Sequence, residues 1–273
     1  MLLRFDDPSA YLARLSDHDE LETFAVLRIV ERLVSQPRAD ALLVLDVEDD
    51  TVLGETVVGA AAWTPPWPLT ITSWPVARLH ELVDVARDHA ELTSVVTTPA
   101  LADALVALHG APSRRLGLAF HVLTAVIPPR VGAGYRRFAT EEDVPLLADW
   151  LPRFLHEVKL PLLADPIDTA RSFVRDGRMH LWIESDRPVA CTAHLDFGRG
   201  GTHVGMVYTP PELRGRGCAS RLVAAVSQHA LERGRRHLTL YADPENPTST
   251  AIYRRLGYVE RYLHVELGFD RPA

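Results

Sequence analysis

The stretch Val204 to Ala219, VGMVYTPPELRGRGCA, leaves the chain little freedom locally. Val204, Met206 and Tyr208 alternate with Gly205, Val207 and Thr209 at strand period, and Pro210 and Pro211 end the ladder because proline has no N–H to donate. An amphipathic helix is predicted from near Gly217, with Leu222, Val223, Val226 and Ala230 as its buried stripe and Gly234 as its stop. The first N–H groups of such a helix lack an intrahelical partner and sit at the positive end of its dipole. With no side chain at Gly215 or Gly217, a pyrophosphate can approach the main chain closely, and Arg214 and Arg216 add positive charge.

A second block follows: Leu240, Asn246, Tyr253, Gly257 and Tyr258 in LYADPENPTSTAIYRRLGY. Arg214-x-x-Gly217-x-Ala219 together with this strand, asparagine, short helix and Tyr-x-x-x-Gly-Tyr ending resembles the GNAT superfamily of acyl-CoA-dependent N-acyltransferases. The resemblance covers residues 135 to 269. It implies that the loop holds the coenzyme A pyrophosphate, and that Val207, Tyr208, Thr209, Arg214, Gly215, Arg216, Gly217, Cys218, Ala219, Ser220 and Asn246 contact acetyl-CoA.

The first half shows the same order of elements without the motif. Leu21, Phe24, Leu27 and Val34 recur at helical spacing behind Ser16-Asp-His-Asp19, which resembles a capping box. Ala41–Val47 and Val57–Trp63 read as a hairpin about Asp49, Asp50 and Gly54. Val76–Asp88 reads as a helix, Ser94–Thr97 as a strand, Pro99–Leu108 as a helix and Leu118–Val126 as a strand. Between Trp63 and Arg78, where a phosphate loop would lie, there is no glycine and there are four prolines. The fold expected is therefore α/β with mixed sheets, as tandem GNAT-like domains. Residues 1–127 form a degenerate copy, 128–134 a Pro- and Gly-rich linker, and 135–273 the domain with the motif. Packing against the second domain, mediating a homodimer, or shaping one wall of the acceptor site are the roles expected of the first half. Trp63, Trp67 and Trp74 are expected in a core or interface.

In the second half, Tyr135–Phe138 reads as a strand and Thr140-Glu-Glu-Asp143 as a capping box opening a helix to about Phe154. A second helix is expected over Asp168–Arg175, a hairpin over His180–Ser185 and Pro188–Leu195, and a final strand over Tyr262–Phe269. Thr248 or Ser249 is expected to cap the helix bearing Tyr253. The resemblance makes the helices after Thr140 the acceptor wall, with Trp150, Phe154, His156, Glu157 and Phe173 as candidate contacts; aromatic residues on helices also serve as core.

Composition narrows the partners. Of the 273 residues 47% are hydrophobic and 24% charged, as in a folded domain. Residues 1–130 carry net charge −8 and 131–273 carry +1, which argues against nucleic acid as the main partner. No apolar run approaches a membrane span of about 20 residues, and a cytoplasmic location is expected. Only two cysteines, Cys191 and Cys218, are present, giving neither a disulfide framework nor a metal cluster. G-x-x-x-x-G-K-[ST], H-E-x-x-H and G-x-S-x-G are all missing.

The reaction implied by the resemblance is transfer of an acetyl group from acetyl-CoA to a primary amine, on a small molecule or amino acid, with no metal. A protein N-terminus or lysine as acceptor, and a non-catalytic acyl-CoA sensor, are the alternatives. Tyr253, seven positions after Asn246, matches the family's catalytic tyrosine; a phenol of pKa about 10 can protonate a leaving thiolate of pKa about 8.5 and stay neutral at pH 7. Many relatives carry glutamate where this chain has His203, whose imidazole titrates in a range suited to a base. Glu157, Glu184, His194 and Asp196 are weaker base candidates, and water is another.

Overall fold

The computed structural model describes residues 1–50 and 54–269. It divides the chain into two units: Met1–Leu118 with the segment from Leu263 onward, and Ala119–Tyr262.

The first unit is a mixed sheet in the order β1 (Leu2–Phe5), β2 (Leu42–Asp50), β3 (Gly54–Trp63), β4 (Leu69–Ser73), β5 (Ser94–Thr97) and the C-terminal strand β12 (Val259–Gly268). Only β4 and β5 pair in parallel; Val265 of β12 lies opposite Thr97 of β5. Both faces are covered, so β2 is apolar at consecutive positions. Leu43, Leu45 and Val47 face Tyr11 of α1 (Pro8–Arg14) and Val26, Val30 and Leu33 of α2 (Phe24–Ser35). Leu42 and Val44 face α3 (Leu79–His89) and α4 (Pro99–His109).

In the second unit the order is β7 (Tyr135–Phe138), β8 (Met179–Glu184), β9 (Arg187–Phe197), β10 (Gly201–Tyr208), β11 (His237–Ala242) and β6 (Arg114–Leu123). The pairs are antiparallel except β10 with β11, and His121 of β6 lies opposite Leu240 of β11. Helices α5 (Val144–Glu157) and α6 (Pro166–Arg175) cover one face; α7 (Cys218–Glu232) and α8 (Pro247–Arg255) cover the other.

The expected boundary is thus corrected. Residues 128–134 are coil, as their composition suggests, but 119–127 go with the second unit and the segment from Leu263 onward with the first. The two closing strands are exchanged between sequence halves, a long-range pairing that no local composition signals. Four local readings also change. β1 and α1 precede the first predicted helix; Asp7 caps α1 by accepting from Ser9 N–H at 2.8 Å. Ser16–Asp19 is no helix cap, since α2 starts at Phe24 after Thr23. The strand β4 runs through the end of the Pro- and Trp-rich stretch. Asn246 caps α8, not Thr248 or Ser249, whose N–H groups donate to Asn246 Oδ1 at 3.2 Å each. The turn expected between Asp50 and Gly54 lies outside the described residues. Trp63 and Trp74 are core, whereas Trp67 is exposed.

No helix among the described residues is long and apolar enough to cross a membrane, and no cluster of three or more metal-ligating side chains occurs among them.

Candidate functional site

β10 and β11 pair in parallel only from Gly201 opposite His237 to His203 opposite Thr239. Both strands continue, to Tyr208 and Ala242, without pairing to each other, so they part beyond His203. The cause lies in β10. Between the Gly205/Ala193 and Tyr208/Cys191 pairs it carries one residue more than β9, and Met206 takes φ 48° to accommodate it. Such a bulge bends a strand away from its neighbour. Thr192 Oγ1 donates to the Gly205 carbonyl at 2.8 Å and fixes the bulge.

Past β10, Pro211–Leu213 make one 3₁₀ turn and Gly215 and Gly217 both adopt φ 77°. Gly217 is the N-cap of α7, in a left-handed conformation that favours glycine. A Cβ there would stand 3.1 Å from Arg221 Nη1. Gly215, Arg216 and Gly217 are exposed, so the first N–H groups of α7 open to solvent.

The loop's side chains divide by direction. Arg216 points out with no hydrogen bond or ion pair among the described residues. Arg214 is engaged: Nη2 donates to both carboxylate oxygens of Glu157 at 2.6 and 2.7 Å, and Nε to the Thr209 carbonyl at 2.9 Å. Cys218 turns inward, 3.4 Å from Glu184 Oε1, and burial and that carboxylate push its thiol up. It is no activated nucleophile. Ala219 and Ser220 are half-buried in the first turn. The Tyr208 ring is buried against Trp150, 5.8 Å away, in the α5/α6 core, leaving only its main chain for a ligand. Val207 packs on the α7 side, and Thr209 Oγ1 is buried with no partner among the described residues.

Tyr253 lies on α8 among Leu240, Leu256 and Tyr258, 7% exposed. Burial pushes its phenol up to about 12. Its ring is 5.9 Å from Tyr258, whose hydroxyl pairs with Ser227 Oγ at 2.9 Å, a packing contact that ties α8 to α7. His203 stands at the last paired register of the central strands, Nδ1 3.1 Å from Thr239 Oγ1, its ring 5.8 Å from Tyr241. Asn246, with Oδ1 spent on capping, keeps only its NH₂ group for a ligand.

Other candidates have structural employment. Trp150, Phe154 and Phe173 belong to the α5/α6 core, while His156 and Glu157 are exposed. Glu184 pairs with Arg221 at 2.8 Å. His194 bonds His180 at 2.8 Å beneath α7, and Asp196 accepts from Thr202 Oγ1 at 2.6 Å. Sequence reasoning missed His121, buried on β6 with its ring 6.4 Å from that of Tyr253; no motif marks it.

The corresponding junction of the first unit is closed. Trp74 lies where a Cβ on Gly59 would come within 2.6 Å of its ring, and Arg78, just ahead of α3, pairs with buried Asp46 at 2.5 Å and with Glu81 at 3.1 Å. Seven positions after Thr98, the N-cap of α4, stands the buried Leu105. Plug, carboxylates and leucine replace glycine loop, free amides and tyrosine.

Residues 189–266 match the family model described as FR47-like protein. An uncharacterized N-acetyltransferase of Methanocaldococcus jannaschii is 34% identical over 55 residues, which are 20% of this chain and 24% of that protein. The match thus spans about a quarter of that relative. Among solved structures, a Drosophila protein superposes with TM-score 0.70 at 15% identity over 100% of this chain and 99% of its own. A GCN5-related N-acetyltransferase of Sphaerobacter thermophilus gives 0.61 at 18% identity, covering 97% and 94%. A GNAT-family acetyltransferase of Colwellia psychrerythraea gives 0.59 at 11%, covering 99% and 100%. These structural likenesses establish the fold. The family model spans residues 189–266, the part of the chain that holds both motif blocks.

Proposed function

We propose that the chain is an acyl-CoA-dependent N-acyltransferase that moves an acetyl group from acetyl-CoA to the primary amine of a small molecule or amino acid. The carrying observation is the parting of β10 from β11 directly ahead of the left-handed Gly217 cap. Splayed strands offer main-chain groups to pantetheine amides as a neighbouring strand would. The orphaned Thr209 hydroxyl fits an amide partner at that edge. Diphosphate oxygens fit the free N–H groups at the start of α7, beside Arg216. Tyr253 serves the leaving sulphur, and His203, at the open end of the paired strands, receives the proton by which an ammonium becomes an attacking amine. The first unit, with its junction plugged, is proposed not to bind acyl-CoA.

Calorimetric titration of acetyl-CoA tests this reading. Micromolar affinity, about −8 kcal/mol, is expected. Gly217→Glu, which sets a carboxylate at the anion-binding helix start, is expected to weaken it at least tenfold with the fold intact by circular dichroism. Undetectable binding by the unaltered protein would sink the proposal.

Arg214 supplies a second expectation. Its pairing with Glu157 competes with any phosphate, so Glu157→Gln is expected to tighten acetyl-CoA binding about two- to fivefold, the worth of an exposed ion pair, 0.5–1 kcal/mol. The gain should shrink at high salt. Weakened binding would show that the pair supports the pocket instead.

A further inference from the structure

A primary ammonium loses two protons on becoming an amide nitrogen, and the acyltransferase reading employs one histidine. Resting on that reading, we propose that His121 takes the second proton and hands it, through Tyr253, to the leaving sulphur.

The placement of His121 is unusual for a buried histidine. It is 3% exposed on β6, opposite Leu240 of β11, whose side chain belongs to the same core cluster as Tyr253. Nδ1 lies 2.9 Å from the Ala119 carbonyl. A carbonyl oxygen only accepts, so Nδ1 carries the proton and Nε2 the lone pair. That lone pair has no hydrogen bond among the described residues, and neither does the Tyr253 hydroxyl. Neither atom is among the fully buried unpartnered ones of the described residues, so each stays open to water or a ligand. Here a fixed acceptor and a phenol stand with ring centroids 6.4 Å apart, both unpartnered. Protonation at Nε2 would leave the Nδ1–H bond to the Ala119 carbonyl in place.

The proton inventory then closes. The first ammonium proton leaves before attack. The nitrogen lone pair forms the C–N bond, the second N–H bond breaks as Nε2–H forms, and the C–S bonding pair departs with sulphur. Tyr253 gives its proton to sulphur and regains one from the imidazolium. In sum, ammonium and thioester yield amide, thiol and one proton, with no further reactant. Because β6 precedes the linker, a strand from the sequence half without the motif supplies the group.

His121→Gln keeps a hydrogen-bonding group at this place but no basic nitrogen. It is expected to lower kcat about a hundredfold while the acetyl-CoA Kd stays within about twofold. Added imidazole should restore part of the rate to His121→Ala and none to Tyr253→Phe, a rescue that a purely structural histidine would not show. A kcat within twofold of the unaltered protein in His121→Gln overturns the proposal. A readout independent of turnover is the ¹⁵N spectrum of the His121 ring. It is expected to show the Nδ1–H form, with Nε2 moving when coenzyme A is added. Coenzyme A that binds by calorimetry but leaves this resonance unmoved overturns the proposal alone. Absence of binding overturns the acyltransferase reading and this step with it.

Discussion

Tyr253→Phe is expected to lower kcat for acyl transfer by about 10²–10³ and to leave the acetyl-CoA Kd within about twofold. The substitution removes one oxygen from a ring that otherwise keeps its packing against Leu240, Leu256 and Tyr258. The hydroxyl makes no hydrogen bond among the described residues, so its loss breaks no native contact. On the proposed reading it removes a donor to charge that exists only as the C–S bond breaks, and such a loss falls on kcat and not on binding.

The same burial limits how that donor can work. With the phenol pushed up to about 12, outright transfer of its proton to a thiolate of pKa about 8.5 is uphill by about 5 kcal/mol. A hydrogen bond to the thiolate costs nothing comparable, so on the proposed reading Tyr253 is a donor whose proton moves only when a neighbouring cation recharges it. Steady-state kinetics with any accepted amine, following thiol release, checks the expectation. A fall of less than about threefold would make Tyr253 a packing residue like Tyr258.

Much of this was legible in the residues. Two prolines ending a strand, two glycines before an amphipathic stripe and a tyrosine seven positions after an asparagine are local features, and local features fix β10, the 3₁₀ turn, α7 and α8. Long-range pairing was not legible. Nothing near Leu118 or Leu263 announces that the closing strands are exchanged, because Phe120–Leu123 and His264–Leu267 have the composition of any central strand. His121 was missed for the same reason, since its meaning depends on the element it faces. Direction within a motif was a further gap. Tyr208 and Cys218 occupy motif positions, yet alternation and helix phase turn their side chains into cores, and Asn246 spends its oxygen on a cap. The closed junction of the first unit was half visible: the missing glycines showed that phosphate would not fit, but not that Trp74 and the Arg78–Asp46 pair fill the space.

The second unit is expected to lose stability as pH falls from about 6.5 towards 4, and His180 carries the largest single share. It is 1% exposed on β8 beneath α7, facing Arg136, His194 and His229, with Asp196, Arg233 and Arg235 lining the same cavity. A guanidinium can only donate, so Arg136, 3.0 Å from Nδ1, holds that nitrogen unprotonated. Burial first, then the neighbouring His194 and Arg136, hold the folded-state pKa down to about 2. Burial lowers His194 and His229 as well. In the unfolded chain each titrates near 6.5. Below that value the unfolded state binds protons that the native state refuses, so stability is fully present above pH 6.5 and is lost as pH falls towards the folded value. For His180 the slope is about 1.4 kcal/mol per pH unit, or about 3 kcal/mol between pH 6.5 and 4, and His194 and His229 add to it in the same direction. Most of that interval lies above the usual carboxylate range, so histidines dominate it. Urea unfolding across these pH values should show the decline, and His180→Asn, which keeps an acceptor for Arg136, should flatten it by about one proton. An unchanged slope in that variant would mean that water or an anion enters the cavity and stabilises the imidazolium in the native state.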